Sequence, residues 1–304
     1  MTEGTETTTR EGRISWRGHE TWYRTFGERD RGAQQTPVVI CHGGPGAGHD
    51  YCEPIADLSR SGRPCVLYDQ LGCGRSELLP DAPLDFWTPQ LFKDELTELA
   101  RHLGIADRYA VVGQSWGGML AMEHALDHPA GLRGIVVADS PASMTLWVSE
   151  ANRLRADLPE DVQETLTRHE QADTTADPEY EAAVAVFYAR HVCRVVPMPD
   201  CVVRTFEQIA ANPTVYHAMN GPSEFHVVGS LKTWDITDRL HEITTPTLLV
   251  SGRHDEATPL IVGQIHERIP GAEWVLFEDS SHLPHVEEPD AFLEAVESFL
   301  RTID

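Results

Sequence analysis

From residue 36 onward the chain is punctuated by short, continuously apolar runs: "PVVICH", "CVLYDQ", "YAVVGQS", "GIVVADS" and, later, "TLLVSG" and "WVLFED". A strand with one wet face alternates apolar and polar residues. A strand that is apolar throughout must be covered on both faces, and helices crossing between parallel strands supply that cover. Helix-like segments follow several of the runs. "PQLFKDELTELARHLG" sets Phe92, Leu96, Leu99 and Leu103 on one stripe, with Pro89 near its start and Gly104 at its end. "DAFLEAVESFLRTI" repeats the pattern with Phe292, Leu293, Val296, Phe299 and Leu300. Upstream, "RISWRGHETWYRTFG" alternates as an antiparallel hairpin does. The expected class is α/β, with a mostly parallel central sheet and helices on both faces.

The rhythm breaks between about residues 141 and 235. "MTLWVSEANRLRADLPEDVQETLTRHE" and "EYEAAVAVFYARHVCRV" read as helices with no strand run between them. A helical block inserted between strands of one sheet reads as a lid over the strand ends. The expected organisation is a core over 1–140, a helical cap insertion over 141–235 and the rest of the core over 236–304. Trp147, Phe187, Tyr188 and Tyr216 are candidates for a pocket under that cap, although aromatic residues in helices more often form core.

The strongest chemical signal is "VVGQSWGG", residues 111–118. Gly113 and Gly117 flank Ser115 as G-x-S-x-G, directly after a strand and before the helix "GGMLAMEHALDH". A tight strand-to-helix turn there lifts the hydroxyl clear of the sheet and places helix N–H donors beside it. A serine hydroxyl is a poor nucleophile, so it needs a base, and the base needs an orienting acid. In this architecture the chain order is Ser, acid, His. "SGRHDEATP" supplies Asp255 just after a strand, and "FEDSSHLPH" supplies His282 after the next. Asp255 is the expected acid because it follows the strand end directly and precedes Pro259, a helix start. His254 and His285 are the rival bases; position favours His282. Glu256, beside Asp255, reads on its own as a solvated loop acid.

Acyl transfer also builds an oxyanion, which preorganised backbone N–H groups stabilise by several kcal/mol. The Gly-rich turn "HGGPG", residues 42–46, follows the strand "PVVIC" and offers Gly44 as one donor; Trp116, after the nucleophile, is the second. No Gly-Lys-Ser/Thr follows "GGPGAG", which excludes a phosphate loop, and neither H-E-x-x-H nor a Cys/His cluster suggests a metal. The sequence implies no metal and no cofactor.

Charge narrows the partners. With 48 acidic against 24 basic residues the formal net charge is −24, a surface that repels nucleic acid and anionic lipid and favours cationic small molecules. The six cysteines are scattered, without a C-x-x-C pair, and Cys41 and Cys65 sit beside apolar runs as buried thiols do. The polar start "MTEGTETTTREG" has no apolar signal core, and no apolar run approaches the roughly 20 residues that cross a bilayer. A cytoplasmic protein is expected.

Together "HGGPG", "YDQLGCGRS", "GQSWGG", "GRHDE" and "SSH" resemble the prolyl aminopeptidase (proline iminopeptidase) family of the α/β-hydrolase fold, from about residue 15 to the end. "MNGPSEFHVVGSLKTWDITDRL", residues 219–240, is similar to its tricorn-interacting aminopeptidase and L-amino-acid amidase branch. The resemblance implies a serine hydrolase that releases an N-terminal residue, proline or another often apolar one, from a short peptide or amino-acid amide through an acyl-enzyme. It also implies that Glu224 and Glu256 hold the substrate's α-amine, consistent with the need of a desolvated cation for negative charge and hydrogen bonds. An esterase or a pathway-specific biosynthetic amidase could run on the same triad, since fold does not fix substrate. A non-catalytic small-molecule receptor is disfavoured by the intact Ser/His/Asp set.

Overall fold

The computed structural model describes residues 8–27 and 35–304. The first seven residues of the polar N-terminal tract lie outside the described residues. Residues 9–12, read as part of that tract, instead extend the hairpin's first strand, where Glu11 faces the Arg24 and Arg75 guanidinium groups.

The hairpin strands β1 (Thr9–Trp16) and β2 (His19–Phe26) are followed by β3 (Val38–Cys41), β4 (Cys65–Tyr68), α1 (Pro89–His102), β5 (Tyr109–Gln114), α2 (Trp116–Ala125) and β6 (Leu132–Ala138). Between β6 and β7 (Thr247–Gly252) lie α3 (Met144–Arg155), α4 (Glu160–Ala172), α5 (Pro178–His191), α6 (Asp200–Ala211) and α7 (Thr214–Met219). Then come α8 (Pro259–His266), β8 (Glu273–Phe277), α9 (Pro284–Glu287) and α10 (Pro289–Thr302). One eight-stranded sheet runs in the order β1-β2-β4-β3-β5-β6-β7-β8, parallel from β4 to β8 and antiparallel at the hairpin edge.

The apolar runs work as their composition requires. Val39, Cys41, Val111, Ile135, Val137 and Leu249 point to one face, against α1, α2 and α8. Their immediate neighbours Val38, Ile40, Val112, Val136, Leu248 and Val250 point to the other, against α10 and the 3-10 segment Asp50–Ser61. The period of two divides each strand between two cores, so neither face could be polar. A third, separate cluster (Ala151, Leu154, Leu166, Tyr180, Phe187 and Phe225) sits inside the helical block between β6 and β7. That block therefore has its own small core. All six cysteines are free thiols, and burial pushes those of Cys41 and Cys65 up to about 12. Among the described residues, no helix is long and apolar enough to cross a membrane.

The C-terminal helix is fixed to the sheet by an ion-pair network. Arg63, fully buried just before β4, donates to Glu297 through Nε and Nη2 (2.9 and 3.1 Å) and to Asp304 through Nη1 and Nη2 (2.9 and 3.0 Å). Its Nη1 also reaches the Thr36 carbonyl oxygen at 3.0 Å. Removing one partner of such a network leaves buried charge uncompensated. We expect Arg63→Ala to lower stability by about 3–5 kcal/mol in a urea titration. The Ser115 site would be untouched, and a change under 1 kcal/mol would contradict this reading.

Candidate active site

The site begins with a backbone conformation. Ser115, the residue between β5 and α2, has φ 55° and ψ −120°, in the positive-φ half of the map that a non-glycine residue occupies only at a cost of about 1–3 kcal/mol. Its surroundings fix it there. Ser115 N–H donates to the Ala138 carbonyl oxygen (2.8 Å), and Ser140 Oγ donates to the Ser115 carbonyl oxygen (2.7 Å). A Cβ on Gly113 would lie 2.0 Å from the Gly117 carbonyl oxygen, and one on Gly117 would lie 2.1 Å from that of Cys41. Both positions need glycine because backbone passes where a side chain would start.

The structure brings Asp255 and His282 together. Asp255, almost fully buried beyond the end of β7, accepts from His282 Nδ1 at 2.7 Å and from the Ala257 N–H at 2.9 Å, both on Oδ1. His282 lies beyond β8 and shares with Ser115 the wall of one chamber. Burial alone would lower the imidazole pKa. The Asp255 charge and hydrogen bond, with Glu224 and Glu287 further off, outweigh it and leave His282 raised.

The glycine turn is tied to the nucleophile by side chains from three segments. Gln114 Nε2 donates to the His282 carbonyl oxygen (2.9 Å), and Gln114 Oε1 accepts from the Tyr51 hydroxyl (2.5 Å). That hydroxyl in turn accepts from Gly43 N–H (2.6 Å). On the other side Gln70 donates through Nε2 to the His42 carbonyl oxygen (2.9 Å) and accepts from Trp116 Nε1 (2.8 Å). Gly44 and Trp116 thus face Ser115 across a small, mostly apolar chamber with Pro45, Met119, Met144 and Leu231. At the first position of α2, Trp116 N–H has no acceptor within its own helix.

Glu224 and Glu256 are neighbours, Glu256 buried and Glu224 half-buried. Glu256 is 0 % exposed and neither carboxylate oxygen has a hydrogen-bond partner. Its Oε1 lies 3.8 Å from His282 Nε2, beyond hydrogen-bond reach. Glu224 lines both chambers and accepts from the Tyr216 hydroxyl at 2.6 Å. Burial raises Glu256 well above the ordinary carboxylate range, and the Glu224 and Asp255 charges raise it further. Burial raises Glu224 too, partly offset by the Tyr216 hydrogen bond and the nearby His282. The view of Glu256 as a solvated loop acid is therefore corrected: the turn into α8 folds its side chain inward.

The other candidates sort by burial. His254 is exposed and contributes its carbonyl oxygen to His191. His285 is buried and donates from Nε2 to the Tyr51 carbonyl oxygen (3.0 Å); burial pushes its pKa down to about 3, so it stays neutral. Trp147 and Tyr216 line the chambers, whereas Phe187 lies in the cap core with Phe225, and Tyr188 stacks on Phe206. Sequence reasoning missed Gln114, Tyr51 and Gln70. The first stands inside the G-x-S-x-G and could have been flagged by that position alone; the tyrosine carried no local signal.

Residues 36–289 match the alpha/beta hydrolase fold family. The proline iminopeptidase of Saccharolobus solfataricus is 40% identical over 285 residues, which is 93% of this chain and 89% of that protein. Among solved structures, the proline iminopeptidase of Mycobacterium smegmatis is 46% identical with a TM-score of 0.89, covering 96% of this chain and 98% of that one. The crystal structure of VinJ is 50% identical with a TM-score of 0.94, covering 97% and 99%. With the elbow, the glycine turn and the Asp–His pair in place, these likenesses assign the chain to the proline iminopeptidase family of the α/β hydrolases.

Proposed function

We propose that this chain is a serine aminopeptidase that removes an N-terminal residue, proline or another small apolar one, from short peptides or amino-acid amides. The observation that carries the reading is the pair of neighbouring carboxylates, the buried Glu256 and the half-buried Glu224, beside the chamber of Ser115 and His282. Among the described residues no lysine or arginine forms an ion pair with either of them. A chain does not gain stability by burying two acids side by side, since desolvation and mutual repulsion both oppose it. A cationic ligand would remove both penalties, and an α-ammonium group one carbon from the scissile carbonyl has the right charge and size.

In this reading Ser115 Oγ attacks the carbonyl carbon while His282 Nε2 takes its proton. Asp255 holds the imidazole tautomer and stabilises the imidazolium. The N–H groups of Gly44 and Trp116 receive the oxyanion. Collapse of the tetrahedral intermediate breaks the C–N bond, and His282 returns the proton to the leaving amine. Water then attacks the ester to Ser115 with His282 again as base, releasing the amino acid and the free hydroxyl. The apolar chamber walled by Pro45, Met119, Met144 and Leu231 suits a small apolar side chain, while Glu224 and Glu256 end the site at the amine and exclude an internal residue.

Three measurements test the division of labour. N-acetylating a prolyl anilide substrate should reduce kcat/KM by about two to four orders of magnitude, because two charge-assisted hydrogen bonds of roughly 1.5–3 kcal/mol each are lost. Glu224→Ala should shrink that gap instead of slowing both substrates equally; equal rates on free and blocked substrates would sink the aminopeptidase reading. On an ester lacking an α-amine, Asp255→Asn should lose about 10³–10⁴-fold in kcat while Glu256→Gln retains turnover. Identical behaviour of the two variants would refute the assignment of roles.

The third concerns stability. A native Glu256 pKa above its unfolded value means that the folded state binds the extra proton, so stability falls as pH rises from the ordinary carboxylate range through the raised value. Glu256→Gln removes that loss. The variant should be more stable than the parent by roughly 1–3 kcal/mol at neutral pH, and the difference in Tm should widen towards alkaline pH. A constant difference across about pH 5–9 would show that Glu256 is not a buried acid held away from its ordinary ionisation.

A further inference from the structure

A fourth carboxyl group stands behind the Asp–His pair. Asp139 is the residue immediately after β6, fully buried, with φ 55°, its N–H donating to the Val250 carbonyl oxygen at 2.8 Å. Its Oδ1 accepts from Gly252 N–H at 3.2 Å, at the end of the strand that carries Asp255. The Asp255 carboxyl is its neighbour, and after burial it does most to raise the Asp139 carboxyl well above the ordinary carboxylate range. Each nevertheless has one buried oxygen, Oδ2, with no N–H or hydroxyl donor from any other residue. Asp255 Oδ1 is fully used by His282 Nδ1 and Ala257 N–H.

Two buried oxygens without donors, on two neighbouring carboxyls, are reconciled by one proton between them. We propose that Asp139 is a neutral carboxylic acid whose Oδ2–H donates to Asp255 Oδ2, making it a positioning residue that fixes the triad acid's rotamer and moderates its basicity. Every charge around Asp139 favours the same protonation state. Asp255 lies against it, Glu287 of α9 adds a further anion, and burial acts in the same direction. Beyond Asp255 stand His282, His191 of α5 and the acids Glu224 and Glu256. Asp255 keeps the negative charge because its Oδ1 takes two N–H donors, from the His282 imidazole and from Ala257, whereas Asp139 Oδ1 takes one, from Gly252. With Oδ2 occupied by a neutral donor, Oδ1 is left to face Nδ1 of His282. The donor also draws charge away from Oδ1, holding the imidazole from becoming too basic to release its proton to the leaving amine.

The idea rests on the triad reading above, so the first test does not depend on turnover. With aspartate labelled at the carboxyl carbon, NMR of the full chain should show one aspartate resonance that keeps the protonated position through pH 8 and disappears in Asp139→Asn. If every aspartate resonance has the ionised position at pH 7, the proposal is overturned, whatever the variants do. Kinetics supply the second test. Asp139→Ala should lower kcat on a prolyl anilide by about tenfold with KM nearly unchanged, and shift the acid limb of kcat/KM to higher pH as His282 becomes more basic. Asp139→Asn, which retains a neutral donor there, should restore most of the loss and return the limb to its original position. Were Asp139 ionised, the asparagine would remove a negative charge near His282 and move the acid limb to lower pH, which would overturn the proposal.

Discussion

The approach of α2 to the ends of β3 and β5 sets the geometry of everything else at the site. That approach brings the carbonyl of Cys41 and the backbone of Gly117 to within the reach of a single missing Cβ, and the carbonyl of Gly117 equally close to Gly113. With two glycines in place the chain can turn sharply enough to hold Ser115 at positive φ, its hydroxyl outside the sheet. The parallel strands then deliver the other parts without further adjustment. Asp255 and His282 follow β7 and β8, at the same sheet edge as Ser115, and the glycine turn follows β3. Gln114 and Gln70 link these loops, so displacement of one moves the others.

On this frame sits an unusual density of acid. Asp139, Asp255 and Glu256, all buried, and the half-buried Glu224 stand around one imidazole, with no lysine or arginine bound to the two glutamates among the described residues. Such an arrangement costs stability in the empty protein and has a functional explanation only if protons or a cation neutralise it. The two pairs resolve the problem differently in the proposed scheme. Asp139 and Asp255 share a resident proton permanently, since no ligand reaches them. Glu224 and Glu256 hold theirs only until an ammonium group arrives. The surface charge of −24 acts in the same direction by concentrating cationic substrates around the opening.

Most of the scaffold was legible because it is local. Continuous apolar runs marked the strands, helical stripes marked α1 and α10, and the G-x-S-x-G between strand and helix marked the elbow. The positions of Asp255 and His282 followed from chain order alone. What was not legible depends on side-chain direction. Glu256 sits in a loop that could equally have faced solvent, and only the turn into α8 rotates it inward, to 3.8 Å from His282 Nε2. Tyr51 meets Gln114 across 63 residues and Asp139 meets Asp255 across a strand, contacts that no window of sequence contains. The strand run "GIVVADS" did place a carboxyl at a strand end, the same signal that selected Asp255, but with no partner in view it could not be interpreted. The hairpin's extension through residues 9–12 was hidden for a related reason: its charged side chains look like a polar tail until Arg24 and Arg75 are seen across from Glu11.

The proton inventory on substrate binding is the most direct probe of Glu224 and Glu256. Ser115→Ala retains the site without turnover, so prolinamide binding can be followed calorimetrically at pH 7 in buffers of differing ionisation enthalpy. Raised carboxyl pKa values in the empty site mean that an arriving ammonium must expel protons. The expected result is net proton release that falls when Glu256→Gln is added, with no binding of N-acetylprolinamide. Binding without proton exchange, or equal affinity for the acetylated amide, would contradict an ammonium site built from Glu224 and Glu256.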